Sequence, residues 1–171
     1  MSGFTVIELM MVVLVVAIVA TLALPSFNAV VSRYRVRTAV EDVTATIYFA
    51  RSEAIQRGGG VMVQKATEAG CTTPEASDWS CGWLVFADRN GNKTVDNGEL
   101  LQSTPRPRGV TVKLTKKYVS SMGLNQWGES SAGMIGVAIS PSGDDDVALS
   151  NVLCLSGGGS LRELKGASKC S

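Results

Sequence analysis

An uncharged apolar run near the N-terminus is the feature that most constrains how this chain folds. Residues Leu9 to Leu24 carry no charged side chain, and Thr21 is the single polar residue among them. At about 1.5 Å of rise per residue, a helix over Phe4 to Leu24 spans roughly the ~30 Å hydrocarbon core of a bilayer. The sequence therefore predicts a transmembrane helix. Glu8, near its start, is a charged group that is costly in lipid unless it finds a partner.

The helical pattern continues beyond Pro25 and becomes amphipathic. Apolar residues recur at spacings of three and four, which is typical of a helix with one buried face. Pro25 has no N–H to donate to the carbonyl of Thr21, so a kink or local loosening is predicted there. The three glycines that begin at Gly58 predict the end of the helix. The predicted buried stripe consists of Val36, Val40, Val43, Ile47, Ala50 and Ala54.

After these glycines the apolar period changes to two, which is typical of strands with one buried face. Clusters of Gly, Pro, Asn and Asp separate the segments, as in a mainly antiparallel sheet. The predicted fold is α+β. It has a leader over residues 1–3, a helix over 4–57 (transmembrane over 4–24, amphipathic over 25–57) and a β-rich head over 58–171. The predicted strands start at Val61 or cover 82–87, 109–114, 135–139 and 151–155.

Four cysteines lie in the predicted head. Neither Cys71 with Cys81 nor Cys154 with Cys170 has the spacing of a zinc knuckle or of a redox C-x-x-C motif. Structural disulfides in an oxidising compartment are therefore favoured. Three pairings are possible, and the sequence-local one, Cys71–Cys81 with Cys154–Cys170, is favoured because each bridge would then close one loop.

Composition argues against catalysis. The chain has 16 basic and 15 acidic residues, a net charge of +1, and no histidine. Histidine is the usual general base and the commonest metal ligand. The sequence also lacks a Gly-x-Ser-x-Gly elbow and a phosphate-binding loop. We therefore predict that the protein is not an enzyme, and that it has no cofactor apart from the calcium ion considered below.

The N-terminal sequence Gly3-Phe4-Thr5-Val6-Ile7-Glu8-Leu9 resembles the start of type IV pilins and type II secretion pseudopilins. The resemblance implies that a prepilin peptidase cuts after Gly3, that Phe4 is methylated, and that Glu8 helps to register subunits in the fibre. The physical expectation agrees, because an apolar helix with one acid gains when a neighbour's terminal ammonium neutralises it. An ordinary signal peptide is disfavoured, since no cationic region precedes the run.

Later segments resemble the GspH/FimT subgroup of minor pilins and pseudopilins. The resemblance implies a minor type IV pilin, a structural and assembly subunit that primes or caps the fibre at or near its tip. A minor type II secretion pseudopilin is the alternative. The implied precursor lies in the inner membrane with its head in the periplasm and later enters the fibre; its partners are major and minor pilins, the prepilin peptidase and the inner-membrane assembly machinery. The segments are Ala50-Arg51-Ser52-Glu53-Ala54-Ile55, Gly82-Trp83-Leu84-Val85-Phe86, Ser140-Pro141-Ser142-Gly143 and Cys154-Leu155-Ser156.

The segment from Asp88 to Glu99 is rich in oxygen-bearing side chains. Counted from Asp88, they occupy positions 1, 3, 5, 9 and 12 of a twelve-residue loop, the spacing of a calcium EF-hand loop. Position 6 is Lys93 instead of glycine, and a predicted strand precedes the loop. A hairpin turn whose Asn and Asp side chains bond their own backbone is the alternative. The predicted calcium ligands are the residues at these positions, Asp88, Asn90, Asn92, Asp96 and Glu99, together with Thr94 at position 7.

Basic residues gather near the C-terminus. Some FimT-type pilins bind DNA through a C-terminal Gly-Arg-x-Arg motif, and the corresponding segment here resembles it as Gly159-Ser160-Leu161-Arg162. Ser160 stands where the first arginine would be. DNA binding at a pilus tip is therefore a second functional hypothesis, and solvated surface charge is the alternative. The predicted DNA contacts are Arg162, Lys165 and Lys169, with a second basic group at Arg106, Arg108, Lys113, Lys116 and Lys117.

Overall fold

The computed structural model describes residues 4–67, 70–71, 73–143 and 147–170, without the side chains of residues 21–26. One long helix precedes eight strands, and a short 3₁₀ turn lies between the sixth and seventh strands. The elements are α1 (Val6–Arg57), β1 (Val61–Lys65), β2 (Trp83–Ala87), β3 (Leu100–Thr104), β4 (Val110–Leu114), β5 (Ser121–Leu124), β6 (Ile135–Pro141), the 3₁₀ turn (Val147–Leu149), β7 (Asn151–Leu155) and β8 (Leu161–Lys165).

Helix α1 begins at Val6, two residues after the predicted start, and ends at the predicted residue, Arg57. Thr5 is the N-cap and forms a reciprocal capping box with Glu8. The helix passes Pro25 without interruption. Gly58 ends it in the left-handed conformation at φ 79°, where its N–H reaches the carbonyls of Ala54 and Ile55. Within the described residues, no helix combines the length and hydropathy needed to cross a membrane.

Two antiparallel sheets of four strands form the head. The strand order is β3-β2-β1-β5 in the first sheet and β4-β6-β7-β8 in the second. The β-rich head and the long helix confirm the predicted α+β fold. Three strands have no counterpart in the prediction. Strands β3 and β8 were missed because they have no buried residue and therefore show no alternation of apolar and polar side chains. Strand β5 was missed because it is only four residues long.

The second half of α1 and both sheets share one hydrophobic core. All six residues of the predicted stripe are buried, with exposures between 0% at Ala54 and 6% at Val43. They pack with inward-facing residues of both sheets, such as Val85 and Val137. Trp83 is only 1% exposed, and its indole N–H donates to Thr46 Oγ1 on the helix at 2.9 Å. The amphipathic part of the helix is therefore an integral part of the head.

Candidate functional site

The first part of α1 exposes a continuous apolar surface. Every large apolar side chain from Phe4 to Val19 is more than half exposed, between 54% at Ile18 and 87% at Phe4. Isolated soluble proteins rarely expose apolar patches of this extent, which mark interaction surfaces. The helix therefore divides into a half that packs on its own head and a half that requires an apolar environment from outside the chain.

Glu8 lies at the start of this apolar surface. Its carboxylate accepts hydrogen bonds from the Thr5 N–H and the Thr5 hydroxyl, both at 3.3 Å, and its own N–H donates to Thr5 Oγ1 at 3.4 Å. These bonds are local, exposed and long, so the carboxylate remains accessible to a positively charged partner. The predicted cleavage residue Gly3 lies outside the described residues.

The structure contains both sequence-local disulfides. Cys71–Cys81 closes the loop before β2, and Cys154–Cys170 joins β7 to the C-terminal segment. The second bridge crosses Gly136, where a Cβ would lie 2.8 Å from Cys170 Sγ. The disulfide therefore folds the C-terminus back onto the outer face of the second sheet, and glycine at 136 leaves room for it.

The predicted calcium loop is held by hydrogen bonds among its own residues. Asn90 and Asn92 both donate their side-chain amides to Asp96 Oδ2, at 2.7 and 2.8 Å. Asp88 Oδ2 accepts from the Lys93 N–H at 3.1 Å, and Lys93 has φ 59°, the left-handed conformation usual for glycine. The predicted ligand Thr94 donates its N–H to Asn92 Oδ1 at 2.8 Å. Such bonds are typical of a turn whose Asn and Asp side chains bond their own backbone, but the buried Asp88 Oδ1 has no hydrogen-bond partner among the described residues.

Glu99 closes the same loop from inside the protein. It is only 4% exposed, and its two carboxylate oxygens accept from the N–H groups of Arg89, at 3.0 Å, and Asp96, at 3.2 Å. Among the described residues, no group of three or more Asp, Glu, Cys or His side chains forms a metal-binding cluster. The calcium hypothesis stays a prediction from the spacing.

The predicted DNA-binding residues divide between two faces of the second sheet. On β8, Leu161 packs against the core, and Glu163 and Lys165 line a groove of about 480 Å³ beside α1. Because side chains alternate along a strand, Arg162 points to the opposite, outer face, where its register partner is Cys154. Lys169 lies beside Cys170 in a groove of about 400 Å³ on that outer face, together with Lys113. Arg162 and Lys169 therefore share a face, and Lys165 does not.

Arg51 has a structural role that the sequence analysis did not assign. Its Nε donates to the Gly128 carbonyl at 3.1 Å, and its Nη1 donates to the Gly159 carbonyl. A Cβ at Gly159 would lie 2.6 Å from Arg51 Cζ. Gly159 is also the first residue of the segment that resembles the DNA-binding motif. The sequence feature that could have indicated this role is the position of Arg51. It directly follows Ala50 of the predicted buried stripe and lies in a segment that resembles the family.

Ser160 also has a local role. Its N–H donates to Ser156 Oγ at 3.0 Å, and the two hydroxyl groups lie 2.8 Å apart. At the position of the first arginine of the Gly-Arg-x-Arg motif, this chain has a serine that closes a β-hairpin.

One carboxyl group in the helix has a shifted pKa. Partial burial raises the pKa of Asp42, and the neighbouring Glu41 carboxylate raises it further. Ionisation of Asp42 therefore costs more in the folded protein than in the unfolded chain, although the residue lies on the exposed side of α1.

The fold, with its half-exposed apolar helix and disulfide-linked β head, defines a subunit of the pilin class. Residues 39–159 match the family described as "Type II transport protein GspH". The chain belongs to this family of minor pilins and pseudopilins, whose members are structural subunits and not enzymes. Membership implies that the chain interacts with other pilins in a pilus or pseudopilus.

Two known proteins show similarity over most of the chain. A pilin-like protein of Thermus thermophilus, PilA1, is 26% identical over 164 residues, which cover 95% of this chain and 90% of that protein. Two crystal structures of the type IV minor pilin FimU from Pseudomonas aeruginosa have the same fold, at 20% identity. The first structure matches with a TM-score of 0.59 over 76% of this chain and 93% of the FimU chain. The second matches with a TM-score of 0.62 over 78% of this chain and 91% of the FimU chain.

Proposed function

We propose that this protein is a minor pilin of a type IV pilus, which primes or caps the fibre at or near its tip. The observation that carries the proposal is the exposed apolar half of α1. Burying apolar surface contributes roughly 25 cal/mol per Å², so this half gains free energy in a bundle of similar helices. The buried second half holds the head at a fixed place along the helix.

Glu8 supports a registry role in such a bundle. A carboxylate on an apolar helix is costly to bury without a counter-charge. After cleavage at Gly3, the new N-terminal amine at Phe4 of an adjacent subunit would provide that charge. Each correctly placed neighbour then gains an ion pair, whereas a neighbour at another height leaves the acid unpaired. The local capping box keeps the carboxylate at the end of the helix until such a neighbour arrives.

A membrane stage is part of the same proposal. It rests on the uncharged sequence from Leu9 to Leu24 and on the disulfides, which favour an oxidising compartment for the head. The precursor would hold Phe4–Leu24 in the inner membrane with its head in the periplasm. The prepilin peptidase would then cut after Gly3 and methylate Phe4, and the assembly machinery would move the helix into the fibre.

Replacing Glu8 tests the registry role. Gln retains an oxygen that accepts the Thr5 N–H bond, so Glu8→Gln preserves the capping box but removes the charge; Glu8→Ala removes both. Pili are counted by electron microscopy in strains carrying each variant, with the amount of each subunit measured by immunoblot. We expect both variants to reduce pilus number to a similar degree. Normal pilus number with Glu8→Gln would contradict the ion-pair role.

A secretion-system role is the alternative assembly function. In that case the variants would reduce secretion of folded substrates and leave pilus number unchanged, so both readouts belong in the same experiment.

DNA binding is a second candidate function. The observation that favours it is that Arg162, Lys169 and Lys113 share the outer face of the second sheet. The Cys154–Cys170 disulfide holds Lys169 at this face. Phosphate binding depends on several cations placed on one surface, so this face is the candidate DNA surface at a pilus tip.

A further inference from the structure

The second sheet ends in a strand with an open edge. Two hydrogen bonds at the ends of β8 show which of its residues bond to β7. The Ser156 N–H donates to the Ser160 carbonyl at 2.9 Å, and the Gly166 N–H donates to the Ser150 carbonyl at 2.8 Å. In an antiparallel ladder these alternate, so the even-numbered residues of β8 bond to β7. The N–H and C=O groups of the odd-numbered residues therefore point away from the sheet. Within the part of the chain that the structure describes, they have no partner. These residues are Leu161, Glu163 and Lys165.

Two other sheet edges are covered. The Trp79 N–H donates to the Val112 carbonyl and the Leu114 N–H to the Ser77 carbonyl, both at 2.8 Å, along β4. Along β5, the Ser131 N–H donates to the Gly123 carbonyl at 2.8 Å. Strand β3 is an edge strand as well, but Leu100–Thr104 has no charged side chain. The edge of β8 thus combines open backbone groups with a charge pattern.

A groove beside α1 adjoins this edge. Val36 and Val40 contribute apolar surface to it, and Arg33 lies with Lys165 among its lining residues. Among the described residues, Arg33 and Lys165 take part in no ion pair. Glu163, in contrast, accepts a hydrogen bond from the Asn151 side chain at 2.8 Å. Among the described residues, the groove therefore presents Arg33 and Lys165 to an incoming acidic side chain, whereas its third cation, Arg37, is already paired with Glu41.

We propose that the edge of β8 binds an extended segment of another pilus subunit, which adds to the sheet as an antiparallel strand. Side chains that face each other across such a pair lie about 4.5–5.5 Å apart, and opposite charges there are favourable. The segment accordingly has an acidic residue opposite Lys165, a basic residue opposite Glu163 and an apolar residue opposite Leu161. Read in its own direction, the pattern is acidic-x-basic-x-apolar. The acidic side chain also enters the groove beside Arg33.

The chain itself contains this pattern, as Glu163-Leu164-Lys165-Gly166-Ala167. A second copy is nevertheless not the proposed occupant. Two antiparallel β8 strands are related by a twofold axis perpendicular to the sheet, which would point the two α1 helices in opposite directions. Helices that leave the membrane and pack side by side in a fibre are parallel, so the segment comes from a different subunit. This choice of occupant rests on the proposed function.

The experiment uses the full chain in detergent micelles and a fluorescent peptide with the sequence of residues 160–169, since that peptide has the required pattern. The matched peptide exchanges the positions of its Glu and its central Lys. Anisotropy should show about three- to tenfold tighter binding of the first peptide, the effect of two cross-strand charge pairs. In the variant Glu163→Lys/Lys165→Glu the preference should reverse.

Equal binding of the two peptides, or binding of neither at millimolar concentration, would overturn the proposal. If the double variant does not fold, as judged by circular dichroism, the single variant Lys165→Ala serves in its place and should reduce the preference.

Self-association is measured with Leu164→Cys, because Leu164 would face its own copy in a β8–β8 pair. An intermolecular disulfide at that position would replace the proposed partner with a second copy. None of these readouts depends on pilus number, so they fail or succeed independently of the Glu8 experiment.

Discussion

The guanidinium of Arg51 donates a hydrogen bond to the backbone carbonyl of Gly159, 108 residues later in the chain. Through its Nε the same side chain also bonds to Gly128. One residue of the long helix thus holds two loops of the head, the turn after β5 and the β7–β8 hairpin. Arg51 therefore fastens the turn of the β7–β8 hairpin to the helix.

We predict that Arg51→Met destabilises the head by about 1.5–3 kcal/mol, the usual contribution of hydrogen bonds from a charged group. Methionine preserves much of the apolar stem, so the loss reports the two bonds. Arg51→Lys, which has one point donor instead of a fork, should give an intermediate value. Urea unfolding followed by circular dichroism measures the free energy of unfolding. A loss below about 0.5 kcal/mol for Arg51→Met would show that the two bonds contribute little.

Gly159→Ala tests the same contact from the other side. Gly159 has φ 83°, and a Cβ there would meet the Arg51 guanidinium. We expect a loss of about 1 kcal/mol or more from the left-handed conformation alone. Gly143→Ala is the matched control, because Gly143 has φ 77° but a Cβ there would meet nothing within 4 Å. An equal effect of the two variants would assign the cost to backbone conformation and none to Arg51.

The buried carboxylate of Glu99 gives a prediction for the Asp88–Glu99 loop. Glu99→Ala leaves the N–H groups of Arg89 and Asp96 without their acceptor, which should cost about 1–3 kcal/mol. Because the wild-type loop satisfies these groups by itself, the head should keep its melting temperature in EDTA. Thermal melts with EDTA and with millimolar calcium test both statements. A rise in melting temperature with calcium that is absent in Asp96→Asn would instead establish the EF-hand-like site.

The division of basic residues between two faces predicts which substitutions affect DNA binding. If the outer face binds DNA, Arg162→Ala and Lys169→Ala should each weaken binding, and the log–log salt slope should fall by roughly 1 for each lost phosphate contact. Lys165→Ala is the matched control, since Lys165 lies on the same strand but on the helix side. Gel shifts with the full chain at two salt concentrations measure this. Equal effects of all three variants would indicate non-specific charge attraction.

Asp42 predicts a specific pH dependence of stability. Its folded-state pKa is raised above the ordinary value of 3.8, mainly by burial. Asp42 therefore binds its proton more tightly in the folded than in the unfolded chain. The stabilisation that results is fully present below the unfolded-state pKa of 3.8 and is lost as the pH rises through the folded-state pKa. Asp42→Asn should melt slightly higher than wild type at pH 7 and equally at pH 3. A variant that melts lower at pH 7 would contradict this assignment.

The sequence by itself determined the long helix, its two halves and its end. Spacings of three and four fixed the buried stripe because the period of a helix depends only on local geometry, and Gly58 ended it because few other residues adopt its backbone conformation. The local cysteine spacing indicated the disulfides. The N-terminal residues Gly3, Phe4 and Glu8 pointed to the pilin class through a resemblance that no burial pattern could have supplied.

Only the tertiary structure decided how distant residues meet. Arg51 and Gly159 show this, because a hydrogen bond between a helix and a hairpin leaves no periodic signal in the sequence. The same is true of β8, whose exposed residues hide a strand, and of Arg162 and Lys165, which are close in sequence but lie on opposite faces. Strand pairing is a non-local choice, and it decides which charges share a surface.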